Sequence, residues 1–214
     1  MTGQNRSTAV MQRRVEPPDS LDYFPTPPWA TRALCEMLSE ADDLSDQTCE
    51  EPACGEGHMV RPLREYFARV TASDIYDYGG EAQARVCDFL LAWDRAPHLE
   101  ARPPDWIITN PPFKQGEAFA LRALSLARVG VALLVRSAFT EGVGRYQRLF
   151  DPHPPAVVAQ FTERVVLHKG RLSEKGSTAT AYCWVVWDRH HAGPTRFRWI
   201  APCRKRLEKR SDYR

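Results

Sequence analysis

Apolar positions along this 214-residue chain fall into two periods that alternate. Short strand-like segments occur at Arg69-Val70-Thr71-Ala72-Ser73-Asp74 and Arg85-Val86-Cys87-Asp88-Phe89-Leu90, and continuous apolar or β-branched runs at Trp106-Ile107-Ile108-Thr109 and Val131-Ala132-Leu133-Leu134-Val135. The last two runs, with no polar alternation, have the pattern of buried strands. Between them, apolar residues recur three and four apart: Trp29, Leu34, Met37 and Leu38, then Met59, Leu63, Tyr66, Phe67 and Val70, then a stretch from Glu117 to Arg128. That spacing predicts helices with one buried stripe. Pro27 and Pro28 suit the first turn of the first helix, and Thr26 is the expected N-cap. Strands alternating with helices predict an α/β domain with a mostly parallel sheet. The pattern then changes. Val157 to Leu167 and Ala179 to Trp187 read as two successive strands joined by 168–177, an antiparallel hairpin. Residues 140–155, with Gly142, Gly144 and Asp151-Pro152-His153-Pro154-Pro155, read as a loop carrying a short helix, of the kind that often covers an active site.

The chemistry-bearing residues sit where predicted strands end, the edge at which open α/β sheets bind ligands. Thr109 is followed by Asn110-Pro111-Pro112-Phe113. The two prolines lack N–H groups and have fixed φ, so the carbonyls around them are rigid and free to face a ligand rather than a ladder. Asn110 adds a side-chain acceptor and Phe113 a flat apolar surface. Two acceptors and a ring suit an aromatic exocyclic NH₂ group. Upstream, Glu50-Glu51-Pro52-Ala53-Cys54-Gly55-Glu56-Gly57 supplies a glycine pair at which the backbone can turn tightly and approach a ligand. Asp74, followed by Ile75, and Asp88, followed by Phe89, each place a carboxylate at the end of a predicted strand.

Taken together these segments resemble the S-adenosylmethionine-dependent adenine-N6 DNA methyltransferases, whose catalytic motif reads (Asn/Asp/Ser)-Pro-Pro-(Tyr/Phe/Trp). Asn110-Pro111-Pro112-Phe113 matches it residue by residue, and Glu51-Pro52-Ala53-Cys54-Gly55-Glu56-Gly57 is similar to the cofactor loop, acidic-Pro-x-x-Gly-x-Gly. Tyr23-Phe24-Pro25-Thr26-Pro27 resembles a (Tyr/Phe)-x-Thr-Pro segment that, in many members, closes over the methionine end of the cofactor. The resemblance implies a Rossmann-like class I methyltransferase fold: a mostly parallel seven-stranded sheet, a C-terminal antiparallel hairpin, and helices on both faces. It implies S-adenosylmethionine as cofactor, bound by Tyr23, Thr26, Glu51, Pro52, Ala53, Gly55, Gly57, Asp74, Ile75, Asp88, Phe89 and Asn110. Asp74 would bond the ribose hydroxyls, and Asp88 would accept from the adenine amine of the cofactor with Phe89 beside its ring. The order of the motifs along the chain matches the gamma permutation, and the segment between Gly57 and Asn110 is filled by the sheet's own elements, so no separate recognition domain is expected there.

Composition narrows the picture. At 43% hydrophobic the chain supports one sizeable core, expected over residues 21–203, with 1–20 a polar, disordered tail and 204–214 a basic one. A formal charge of only +2 argues against tight DNA binding through net charge alone. DNA, with RNA as the alternative, is the expected partner through local cations: Lys114 beside the catalytic motif, and His168, Lys169, Arg171 and Lys175 in the hairpin loop. A base stacked on Phe113 would face a second residue, with His168, Tyr182 and Trp184 as candidates. A homodimer or a separate specificity partner would supply further recognition surface. The six cysteines show no metal-ligand spacing, and no leader or membrane-length apolar run is present, so a cytoplasmic, metal-free protein is expected. Methylation of adenine in RNA, methylation of a release-factor glutamine, and an inactive cofactor-binding subunit are the alternatives.

Overall fold

A computed structural model describes residues 22–91 and 102–213. The expected tail at 1–20 lies outside the described residues. In chain order the elements are α1 (Pro28–Ser39), β1 (Thr48–Glu51), α2 (Val60–Leu63), β2 (Arg69–Asp74), β3 (Arg85–Val86), β4 (Trp106–Thr109), α3 (Gly116–Leu126), β5 (Gly130–Arg136), α4 (Val143–Arg145), β6 (Val157–Phe161), β7 (Tyr182–Asp188), β8 (Arg196–Ile200) and α5 (Arg204–Leu207). α4 runs on into a wider helical turn over Tyr146–Phe150, and a last single turn spans Arg210–Tyr213.

The strands form one eight-stranded sheet in the order β3-β2-β1-β4-β5-β7-β6-β8. β1 pairs in parallel with both β2 and β4, and β4 pairs in parallel with β5. β7 runs antiparallel to β5, from Gly130↔Asp188 to Arg136↔Tyr182, and antiparallel to β6. Successive residues of the buried strands feed opposite faces. Trp106 and Ile108 join Trp29, Leu34 and Trp184 on the α1 face, while Ile107 joins Phe119, Leu133 and Val185 on the α3 face. Each fully buried apolar side chain of this size contributes about 1.5–3 kcal/mol. The C-terminal ends of β1, β2, β4 and β5 therefore lie on one edge of the sheet. β1 and β4 are neighbours at the point where the strand order reverses, and the crevice outside such a switch point is where α/β sheets hold ligands.

Several sequence expectations shift. The expected seventh strand is followed by an eighth: Arg196-Phe197-Arg198-Trp199-Ile200 pairs in parallel with β6 and closes the sheet. Four of its five residues are exposed, so it has no buried apolar run to announce it. The regular part of α2 is one turn, because the chain folds back over 64–68 and Val70 is already in β2. Only Arg85–Val86 of the third strand pairs with β2, which leaves Asp88 and Phe89 in the turn beyond it. β6 stops at Phe161, and Val165, Val166 and Leu167 are buried from a loop instead. Thr26 does not cap α1; Pro27 occupies that position, with no side-chain cap bond. The basic stretch from 204 is not a free tail. Arg32 of α1 is buried and bonds Asp212 at 2.8 and 2.9 Å, the Leu207 carbonyl at 2.8 Å and both oxygens of Glu65, which pins the C-terminal turns onto α1.

Candidate active site

Asn110 is the first residue past β4, and its side chain is fixed from the opposite wall of the crevice. Its Nδ2 donates to the Phe24 carbonyl at 2.9 Å and to the Thr26 hydroxyl at 3.1 Å. A carbonyl can only accept, so the amide nitrogen must face Phe24 and the oxygen must face away. That oxygen, Oδ1, is buried and has no hydrogen-bond partner among the described residues. Leaving a buried acceptor unmatched costs about 1–3 kcal/mol, so the position is held by the surrounding structure rather than by its own bonding. Thr26 thus gives its hydroxyl to the site rather than to a helix cap.

Asn110 and Pro112 line one cavity, together with Tyr23, Thr26, Glu51, Pro52, Ala53, Asp74, Ile75, Asp88 and Phe89. These are residues expected there from the sequence, now brought together from five separate segments. Its other wall residues include Phe24, Cys54, His58, Tyr78, Gln115 and Phe119. Gly55 and Gly57 shape the loop under it, with φ of +50° and +84°. A Cβ on Gly55 would lie 2.3 Å from the Tyr23 ring, and one on Gly57 would lie 2.1 Å from the Ala82 methyl. The Gly55 amide donates to Asp74 at 2.9 Å, which ties the loop to the end of β2.

Burial sets the electrostatics. Glu51 is fully buried; one oxygen accepts from the Thr109 hydroxyl and the Ala53 amide, and the other, Oε2, has no partner. Loss of water pushes its carboxyl up to about 8, so it holds a proton at neutral pH in this state. Asp74 is also raised by burial, against the pull of the Gly55 and Tyr76 amides. The Tyr23 phenol is raised by burial and then by the charge of Glu56; its hydroxyl too is without a partner, and its ring meets Tyr78 at 5.0 Å. His58, whose Nδ1 is unpartnered, is shifted downward by burial. Cys54 is a buried thiol pushed upward by desolvation, which suits packing and not nucleophilic chemistry. Four unpartnered buried polar atoms, on Tyr23, Glu51, His58 and Asn110, therefore belong to residues that line this one cavity.

Beyond Asn110, Phe113 is less open than its sequence context implies. Its amide donates to the Asp22 carboxylate at 2.7 Å, its ring meets Phe24 at 4.8 Å, and the Arg136 guanidinium lies 4.1 Å from its centroid. The hairpin loop docks close by. The Gly170 amide donates to the Tyr23 carbonyl at 2.9 Å, which sets the turn holding His168, Lys169 and Arg171 against the segment that covers the cavity. Lys175 follows in the same loop, exposed, and Lys114 is exposed beside Phe113. Of the candidates to face Phe113, Tyr182 lies 6.4 Å from it, whereas Trp184 is fully buried and donates to the Ala30 carbonyl, so it belongs to the core. The contributions of Asp22, the Phe24 carbonyl, Tyr78 and Arg136 were not assigned from the sequence. A main-chain carbonyl carries no side-chain signal, and Arg136 reads as an ordinary strand-end cation.

Comparison with solved structures gives the fold. A modification subunit assigned to a type I restriction enzyme of Vibrio vulnificus YJ016 superposes with a TM-score of 0.59 at 15% identity, covering 90% of this chain and 50% of that one. An RNA methyltransferase assignment from Pyrococcus horikoshii gives 0.55 at 12% identity, covering 81% and 91%. Magnesium protoporphyrin IX methyltransferase of Synechocystis PCC 6803, with bound S-adenosylmethionine, gives 0.51 at 16% identity, covering 75% and 79%. The fold is thus the Rossmann-like methyltransferase fold, with a mostly parallel sheet and an antiparallel hairpin as expected. This chain spans half the length of the restriction-enzyme subunit. No family model and no curated protein sequence matches it.

Proposed function

We propose that this protein transfers a methyl group from S-adenosylmethionine to the exocyclic N6 amine of adenine in DNA. The observation that carries the reading is the Asn110 amide, whose nitrogen is taken up by Phe24 and Thr26, which leaves a buried, unpartnered oxygen on a residue that lines the cavity.

The cavity's donor set fits the cofactor. An amino acid joined through a sulfonium to a nucleoside offers an ammonium, a carboxylate, two ribose hydroxyls and an aromatic amine. Unpartnered atoms on Tyr23, Glu51 and His58 supply partners of matching polarity, and the missing Cβ of Gly55 lets the Tyr23 ring close against the loop. Asp74 would bond the ribose hydroxyls, Asp88 would accept from the adenine amine with Phe89 beside it, and Tyr23 with Thr26 would hold the methionine end. When bound, S-adenosylmethionine supplies an electrophilic methyl group at its sulfonium.

The chain's own task is to turn a poor nucleophile into a competent one. The lone pair of an adenine amine is delocalised into the ring. Asn110 Oδ1 and the Pro111 carbonyl accept its two N–H groups, which favours a pyramidal nitrogen with the lone pair directed at the methyl. Oriented acceptors of this kind contribute about 3 kcal/mol each to the transition state. Holding the amine in line contributes roughly 7–11 kcal/mol. Taking an adenine out of duplex DNA costs a few kcal/mol, and stacking on Phe113 returns about 1–3 kcal/mol.

Labelled S-adenosylmethionine, incubated separately with duplex DNA, ribosomal RNA and a release factor, tests the substrate. Label recovered as N6-methyladenine from DNA is the expected result; label confined to RNA or to protein would remove the DNA reading.

A further inference from the structure

The catalytic tetrapeptide is a wall with two sides. Asn110 and Pro112 face the cavity described above, whereas Pro111 and Phe113 face a second recess, which Arg136, Phe139 and Arg145 complete. Two of its lining residues are arginines and none is acidic. The two cations are mounted alike. Arg136, at the end of β5, lies over the Phe113 ring with its guanidinium carbon 4.1 Å from the centroid, and Arg145, in α4, lies over Phe139 at 4.2 Å. Stacking uses the face of a guanidinium and leaves the N–H groups in its plane able to donate.

Arg145 spends one nitrogen on the carbonyls of Phe139 and Glu141, at 2.7 and 2.8 Å, which fixes the side chain; its Nε is buried and has no partner. No carboxylate lies within ion-pair distance of Arg136 or Arg145 among the described residues. Glu117, whose charge reaches Arg145, is held by Arg148 through both its oxygens, and Asp22 is engaged by the Phe113 amide. Arg136 also bonds the Tyr182 hydroxyl, a neutral partner that leaves its charge in place. A pair of stacked guanidiniums in one recess, neither in an ion pair, is a site for a tetrahedral oxyanion, since Arg matches phosphate geometry with paired N–H donors.

We propose that this recess binds the backbone phosphate adjoining the target adenine, with Arg136 and Arg145 as its donors. The inference rests on the polynucleotide reading above and adds to it the element that sets where the strand lies. With the adenine amine at Asn110 and the adjoining phosphate at Arg136 and Arg145, the nucleotide spans the motif, and the amine is presented to Asn110 from a fixed point. Neither arginine belongs to the basic hairpin loop.

The test is equilibrium binding of a duplex oligonucleotide containing one adenine to the full chain in the presence of S-adenosylhomocysteine, over a salt series. Wild type is compared with Arg136→Gln, Arg145→Gln and the charge-retaining Arg145→Lys. Each glutamine variant is expected to weaken binding and to flatten the dependence of log K on log salt by about one, because one phosphate contact contributes about 0.9 to that slope. Arg145→Lys keeps the wild-type slope. One uncharged methylphosphonate linkage beside the adenine is expected to weaken wild-type binding by about tenfold or more, as loss of a hydrogen bond to a charged group does, and to have no further effect in Arg145→Gln. Slopes equal across all four proteins, a methylphosphonate penalty unchanged in the variant, or no binding of the oligonucleotide would overturn the proposal. Product analysis on the same samples separates the two readings. Arginine-dependent slopes without methyladenine keep the phosphate site and remove the adenine chemistry, whereas methyladenine with unchanged slopes does the opposite.

Discussion

Asn110 owes its orientation to a carbonyl that can only accept. Replacing it with alanine removes the acceptor while leaving the glycine loop, Asp74 and Asp88 in place. Asn110→Ala is therefore expected to lower the rate of transfer by about 10²–10³, the usual effect of removing one oriented polar group from a transition state. Titration calorimetry should find cofactor affinity retained; loss of both binding and transfer would show that Asn110 holds the site together rather than acting in it. Glu51 makes a second prediction. Its carboxyl stands at about 8 against an ordinary 4.5, so between those values the folded chain keeps a proton that the unfolded chain has released. Stability then falls as pH rises across that window, by an amount on the order of a few kcal/mol. Glu51→Gln cannot ionise, so its urea midpoint should gain on that of wild type from pH 5 to pH 8. Parallel curves would mean that Glu51 is charged when buried. A cationic ligand that ionises Glu51 on binding would release a proton, visible as a buffer-dependent heat.

Elements differ in how plainly the sequence announces them. β4 and β5 are buried on both faces, so their apolar runs are continuous and their bounds were readable to within a residue or two. β8 is an edge strand with Phe197 and Trp199 exposed at 59% and 64%, and an Arg-aromatic alternation carries no signature of burial. Arg32 reads as a surface residue of an amphipathic helix, yet it is 3% exposed because its partner, Asp212, comes from the far end of the chain. Within the site, the side chains at strand ends were legible because their spacing repeats the fold. What Asn110 bonds to was not, since it depends on main-chain contacts between distant segments. Two further outcomes follow at this scale. Gly55→Ala must resolve a 2.3 Å approach to Tyr23 at a φ of +50°, and it is expected to abolish cofactor binding while leaving circular dichroism unchanged. Asp212→Ala leaves a buried arginine without one of its carboxylates and should destabilise the fold by about 3–5 kcal/mol. Thermal unfolding reads that loss. An unaltered midpoint would mean that the C-terminal turns are not bound to α1 in solution.

At the scale of the whole molecule, one edge of the sheet gathers every group that the proposed reaction uses. The parallel strands deliver Glu51, Asp74 and Asn110 to it, and the reversed strand β7 brings Tyr182 beside Arg136. The N-terminal segment closes over that edge and is itself held by Asn110, Phe113 and the hairpin loop. No described helix is long and apolar enough to cross a membrane. With a formal charge of +2, attraction to a polyanion depends on where cations lie rather than on their sum, and Arg136, Arg145 and the 168–175 loop lie around the 110–113 segment and the N-terminal segment bonded to it. The most direct test is to incubate duplex DNA with methyl-deuterated S-adenosylmethionine and either wild-type protein or Asn110→Ala, then digest the DNA and analyse its nucleosides by mass spectrometry. Deuterated N6-methyldeoxyadenosine formed by wild type and lost in the variant is the predicted result. Label on cytosine, equal yields from the two proteins, or no labelled nucleoside from wild type would contradict the account.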